Sequence, residues 1–156
     1  NGLTFVTEEK SVFMGMSTRD NLRVGGVDVD VALELFPELR QRIGIRGGLL
    51  SGGEQQMLTL ARALSRMPRV LLADELSMGL APIIVERLLE AVRSAAKDRG
   101  TAVLLVEQHV RKALKYADRA YVMRGGQIEI EGTAKELAAR IDEIESSYLT
   151  GPEETG

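Results

Sequence analysis

Short apolar runs alternate along this chain with longer stretches in which apolar residues recur at helical spacing. Leu3–Val6 (LTFV), Arg69–Ala73 (RVLLA) and Thr101–Val106 (TAVLLV) are compact and apolar, the pattern of buried strands. Arg119–Met123 (RAYVM) reads as another strand. A Gly125-Gly126 turn follows it, and Gln127–Gly132 (QIEIEG) then alternates as an edge strand. A short helix is predicted from Thr18, broken by Gly25-Gly26. Asp28–Ile43 reads as a helix interrupted near Pro37. The helix from Gly52 to Met67 opens on a Ser51-x-x-Glu54 capping box. Pro82 starts the next helix, Ile84, Leu88, Val92 and Ala95 recur along it, and Gly100 ends it. A helix reaching Ala117 and a helical stretch from Thr133 complete the series.

Strand, helix, strand, helix, strand after Arg69 is the order of a parallel α/β sheet. Ligands of such sheets bind beyond the carboxyl ends of the strands. Two strands end there in polar chemistry, RVLLA in Asp74-Glu75 and TAVLLV in Glu107-Gln108-His109, so these groups are expected close together.

Composition narrows the function classes. A chain of 156 residues is long enough for one sizeable core. A net charge of −3 argues against a nucleic-acid partner bound by phosphate neutralisation, and 4% aromatic residues disfavour a base-stacking platform. Zero cysteines exclude disulfides and thiolate metal sites and fit a reducing compartment. No run approaches the roughly 18 apolar residues of a membrane span, and no signal pattern opens the chain. A membrane role would come through a partner.

Three features carry candidate chemistry, each with a plainer alternative. An acidic pair directly after a buried strand holds Mg²⁺ and orients a water, or one acid merely caps the next turn. Gly52 and Gly53 each weaken a helix by up to about 1 kcal/mol, which suits close approach of an anion to the helix N-terminus or a flexible lead-in to a simple capping box. His109, the single histidine, is either catalytic or structural.

In combination, LSGGEQQMLTLARAL, VLLADE and LLVEQH resemble the ATP-binding cassette (ABC) ATPase family, over about Leu3 to Leu149. TEEKSVFMGMSTRDNLRVG, ELFPELRQR, DELSMGLAP and LLVEQHVRKAL look like the ATP-binding subunits of branched-chain amino acid importers. The resemblance implies a partial P-loop NTPase-like parallel sheet with a helical signature subdomain, about 17–66, and a core part, 68–150; the terminal GPEETG, 151–156, reads from its own composition as a disordered tail. It implies ATP and Mg²⁺ as ligands. Ser51, Gly52, Gly53 and Glu54 would form the signature that meets ATP held by a second ABC ATPase subunit, in a homo- or heterodimer. Asp74 would hold Mg²⁺ through water, Glu75 would act as general base, and Glu8 falls where many relatives place a Gln that touches Mg²⁺. Gln108 or His109 would be the switch that senses the γ-phosphate. The loop around Glu8 to Phe13 would face transmembrane permease subunits, placing the protein in the cytoplasm on the inner face of the cell membrane.

The chain departs from the family pattern at four places. Gln108 aligns with the usual switch His, Ala81 with a common Asp, and Leu76 with a common Pro. No G-x-x-x-x-G-K-[ST] occurs, so the chain reads as the C-terminal part of an ABC ATPase, itself inactive and prone to self-association through uncovered strands. The alternatives are the ATPase of a urea or amide importer, and a non-catalytic module that pairs with an intact ATPase.

Overall fold

The computed structural model describes residues 2–7 and 9–149. They form two compact units, Asn1–Gln108 and His109–Gly156.

Unit one is built on a three-stranded parallel sheet. β2 (Val70–Asp74) is central, with β1 (Leu3–Val6) on one side and β3 (Ala102–Val106) on the other. Leu3 lies opposite Val70 across the first pair, and Asp74 opposite Val106 across the second. The alternation of strand side chains divides this sheet sharply. Val6, Leu71 and Ala73 point into the main core, where Val103 and Leu105 also pack. Helix α3 (Gly52–Leu64) and helix α4 (Pro82–Arg99) cover that face. The opposite face leaves Leu3 65%, Phe5 57%, Leu104 56% and Val106 53% exposed. TAVLLV is therefore half-buried on one side and exposed on the other, in keeping with the uncovered apolar strands that the sequence leads one to expect. Parallel sheets are ordinarily covered on both faces.

A helical layer completes the unit. α1 (Thr18–Val24) ends at Gly25-Gly26, as expected. α2 (Val29–Leu35) is followed by a 3-10 turn, Pro37–Arg42, so the interruption at Pro37 is real. The cause is local: the Pro ring disfavours helical backbone at the preceding residue, and Phe36 takes φ −131°. Phe36, Leu39, Leu22, Leu58 and Leu60 are fully buried together. Buried Asn21 shapes the preceding loop, accepting from the Phe13 N–H at 2.8 Å and donating to the carbonyls of Phe13, Met16 and Ser17. α3 stops at Leu64, three residues before the expected Met67; Met67 precedes Pro68 and turns to φ 46°.

Unit two has its own small core of Leu114, Val122, Ala134, Leu137 and Ile144. It contains α5 (Val110–Tyr116), β4 (Arg119–Arg124), β5 (Gln127–Thr133), α6 (Ala134–Ala139) and α7 (Ile141–Leu149). β4 does not continue the parallel sheet, as the strand–helix alternation suggested. It pairs antiparallel with β5 in a separate two-stranded sheet. Gly125 and Gly126 both have positive φ, the backbone of a tight hairpin turn whose twist matches its strands, so the nearest partner wins. Thr133 and Glu136 form a second capping box at the start of α6. Among the described residues no helix is long and apolar enough to cross a membrane.

Candidate functional site

The N-terminus of α3 is built as its sequence implies. Ser51 is the N-cap, its Oγ accepting from the Glu54 N–H at 3.3 Å while Glu54 Oε2 accepts from the Ser51 N–H at 2.8 Å. Glu54 Oε1 also accepts from Arg42 Nε at 2.6 Å. Partial burial pushes the Glu54 carboxyl up, but the bonds from Arg42 and Ser51 outweigh it and hold its pKa below the ordinary carboxylate range. Its charged form therefore adds stability above that ordinary range, and this is lost as pH falls through the lowered value. Ser51 is exposed. The Glu54 and Gln55 N–H groups are taken by Ser51, while those of Gly52 and Gly53 precede the first intrahelical bond and have no helical partner.

The two glycines differ. A Cβ on Gly53 would lie 3.0 Å from Ile84 Cγ2, so this glycine lets α3 pack against the first turn of α4. A Cβ on Gly52 would meet only the flexible end of Lys10, at 3.0 Å, and a methyl of Leu80. Helix packing thus accounts for Gly53, a role the linear pattern did not reveal.

The second group of residues sits at the carboxyl ends of β2 and β3. Asp74 ends β2, half-buried. Glu75 follows in the left-handed region at φ 49°, its N–H bonded to the Val106 carbonyl at 2.9 Å. Non-glycine residues hold such a conformation only where their surroundings impose it, and such strain gathers at functional sites. Leu76 then inserts fully into the main core, so the apolar residue that departs from the family pattern anchors the turn. Gln108 Nε2 donates to Glu75 Oε1 at 2.6 Å. Among the described residues Glu75 Oε2 has no hydrogen-bond partner, which leaves one carboxylate oxygen available to a water. Glu107 accepts from the N–H and the hydroxyl of Ser77, a pairing with no sequence signal beyond its place at the strand end.

The two switch candidates separate. Gln108 reaches Glu75, while His109 is the exposed N-cap of α5 and makes no side-chain capping bond. Ala81 caps α4 with extended backbone and likewise no side-chain bond. The α3 cap and the Glu75 group share no hydrogen bond among the described residues. Glu8 lies outside the described residues, as does the tail at 151–156.

Among the described residues no group of three or more acidic or histidine side chains could hold a metal ion. Asp74 and Glu75 are two carboxylates at a partly open strand end. That donor set suits Mg²⁺, which keeps several waters and takes one or two carboxylates together with phosphate oxygens.

The ABC transporter family model matches residues 1–77. The high-affinity branched-chain amino acid transport ATP-binding protein BraG of Pseudomonas aeruginosa is 41% identical over 158 residues, covering 96% of this chain and 67% of that protein. A probable branched-chain amino acid transport ATP-binding protein, LivF of Archaeoglobus fulgidus, is 36% identical over 145 residues, covering 87% and 61%. In three dimensions the chain is similar to cbiO1 from Clostridium perfringens, part of the ABC transporter complex cbiONQ, with a TM-score of 0.79 at 22% identity over 97% of this chain and 64% of that one. It is also similar to the dimeric post-hydrolysis state of the ATP-binding cassette MJ0796 bound to ADP and Pi, with a TM-score of 0.73 at 21% identity, covering 86% and 63%. The chain thus spans between 61% and 67% of the length of these proteins. With its parallel sheet and helices and this degree of identity to known members, the chain belongs to the ATP-binding proteins of ABC transporters.

Proposed function

We propose that this chain supplies the signature helix and the hydrolytic carboxylate of the ATPase subunit of an ABC importer, one that carries branched-chain amino acids. The observation that supports it most is the Gln108–Glu75 bond beside Asp74 at the ends of two parallel strands. Asp74 would hold Mg²⁺ through water, and that ion would neutralise phosphate charge. Glu75 takes a proton from the attacking water through its unpaired oxygen as the water oxygen bonds the γ-phosphorus and the bond to ADP breaks. Gln108 holds Glu75 and cannot take up a proton itself, which leaves the carboxylate as base. Ser51 and the N–H groups of Gly52 and Gly53 would meet the γ-phosphate of nucleotide on a second ATPase subunit, where the helix dipole favours negative charge. Glu54 keeps Ser51 in place for that contact.

Exposed Phe13, Met14 and Met16, on the loop that Asn21 shapes, offer an apolar surface to permease subunits at the inner face of the cell membrane. Glu8 joins the magnesium site in this reading on resemblance alone. The same chemistry fits a urea or amide importer, since substrate choice belongs to the permease side.

A switch experiment tests the reading in a version of the chain that carries a P-loop segment. Gln108→Ala should slow ATP hydrolysis about 10–100-fold, the scale of a misplaced catalytic group, and His109→Ala much less. The reverse order would move the switch to His109 and remove the Gln108–Glu75 bond from the mechanism.

The 156 residues by themselves lack the motif that cradles β- and γ-phosphates. These 156 residues alone are expected to bind MgATP no better than millimolar in calorimetry, because one exposed helix end contributes about 0.3–1 kcal/mol per charge.

The partner of the isolated chain is a second copy of itself. Among the described residues Leu3, Phe5, Leu104 and Val106 form an exposed apolar sheet face, and β1 and β3 each pair with β2 alone. Light scattering should give a dimer or larger species. Phe5→Lys with Leu104→Lys should weaken association at least about tenfold, since each apolar side chain buried stabilises by about 1.5–3 kcal/mol. A monomeric parent chain at high concentration would refute this.

A further inference from the structure

The end of β3 presents three consecutive residues to the turn after β2, and each holds a different part of it. The Val106 carbonyl accepts from the Glu75 N–H at 2.9 Å. The Gln108 amide donates to the Glu75 carboxylate at 2.6 Å. Between them, Glu107 Oε1 accepts from the Ser77 N–H at 3.0 Å and Oε2 from the Ser77 hydroxyl at 2.5 Å. Ser77 is buried, and Leu76 beside it is locked in the core.

This arrangement answers a question that the backbone raises. Glu75 sits at φ 49°, which a residue with a Cβ does not hold without external support. The turn is fastened before Glu75 by the β2–β3 ladder, at Leu76 by burial, and at Ser77 by the two bonds to Glu107. Hydrogen bonds to a carboxylate are roughly twice as strong as neutral ones, so the Ser77 fastening is the strongest polar restraint on the turn. Both oxygens of Glu107 are occupied by Ser77, whereas Glu75 keeps one oxygen open. The two neighbouring glutamates therefore have different tasks.

We propose that Glu107 is a positioning residue: it locks the left-handed turn at Glu75 through Ser77 and so aims the Glu75 carboxylate, while Gln108 fixes that carboxylate's rotation. The functional half of this inference rests on the reading of Glu75 as the base; the structural half stands on the bonds themselves.

Two readouts separate these halves. In the 156-residue chain, amide hydrogen exchange at Glu75 and Ser77 should be at least about tenfold faster in Glu107→Ala than in the parent, because exchange reports the local opening free energy. Glu107→Gln should restore slow exchange, since its Oε1 still accepts from the Ser77 N–H and its amide donates to the hydroxyl oxygen. In a version carrying a P-loop segment, Glu107→Ala should lower kcat about 10–100-fold at unchanged KM for MgATP, and Glu107→Gln should stay within about threefold of the parent. Ser77→Ala, which removes only the hydroxyl bond, should fall between them and serves if Glu107→Ala does not fold. Unchanged exchange at both amides overturns the proposal. So does a Glu107→Gln variant as slow as Glu107→Ala, which would make the charge and not the position the active property. A parent without hydrolysis overturns the reading of Glu75 alone, and the exchange rates still decide whether Glu107 locks the turn.

Discussion

Glu75→Gln, in a version of the chain that carries a P-loop segment, is expected to lower ATP turnover by about 10²–10⁴-fold, the range of a lost general base. MgATP affinity should be unchanged. The substitution is nearly isosteric, and the new side-chain oxygen still accepts from Gln108 Nε2, so the hydrogen bond now seen at 2.6 Å survives. The left-handed backbone also survives, because it is held by the Val106 carbonyl, by buried Leu76 and by the Glu107–Ser77 pair, none of which the substitution touches. Only basicity at the unpaired oxygen is lost. Steady-state hydrolysis and nucleotide binding measured on the same preparation check both halves. Hydrolysis at the parental rate would remove Glu75 from the base role and leave the strain at this position without a catalytic purpose.

The largest stability effect is expected at Phe36. Its side chain is fully buried between α2 and the 3-10 turn, in the cluster that also holds Leu39 and Leu58. The Arg87 guanidinium lies 4.9 Å from the ring centroid, reaching from α4 across to the helical layer. Arg87 Nε also donates to Glu38 Oε1 at 2.7 Å, and Nη2 donates to the Leu35 carbonyl. Phe36→Ala removes a buried ring, leaves a cavity and takes the stacking surface from Arg87. A loss of about 3–5 kcal/mol is expected from the first two effects. The cation–π contact adds about 0.5–1 kcal/mol at a partly exposed site. Urea unfolding of the parent and the variant, at a concentration where both have the same association state, measures the difference. Leu49→Ala, at an exposed position, is the control and should stay within about 0.5 kcal/mol. A Phe36→Ala loss no larger than the control would mean that the helical layer is not secured to α4 through this ring. Leu58 and Leu60 of α3 share this buried cluster with Phe36, so the same ring also supports the packing of α3.

Much of the site is readable in the linear pattern because its signals are local. A Ser with a Glu three residues on closes a capping box within one helical turn, and the box expected at Ser51 is present. Pro82 at the first turn of α4 and Gly100 at φ 68° after its end mark that helix at both ends. The closeness of the 74–75 pair to Glu107 and Gln108 follows from two apolar runs joined by one helix, which a right-handed crossover brings side by side. Errors arise where the deciding contact is distant. RAYVM continues the strand–helix rhythm, but a two-glycine turn offers it a closer partner in β5, and pairing across that turn closes a shorter loop.

Sequence by itself determined the elements, the family and the residues at the edge of the sheet, because periodicity, caps and turn residues act within a few positions of one another. Only the tertiary structure decided what each of those residues touches. It distinguished Gln108, which reaches Glu75, from His109, which caps α5. It explained Gly53 by the approach of Ile84 and made Leu76 a core anchor where the family pattern has Pro. It paired Glu107 with Ser77, thirty residues away, and decided which face of TAVLLV lies uncovered. The physical reason is common to all of these. A side chain's task is set by the atoms folding brings within hydrogen-bond or van der Waals reach, and those atoms come from parts of the chain that no local pattern connects.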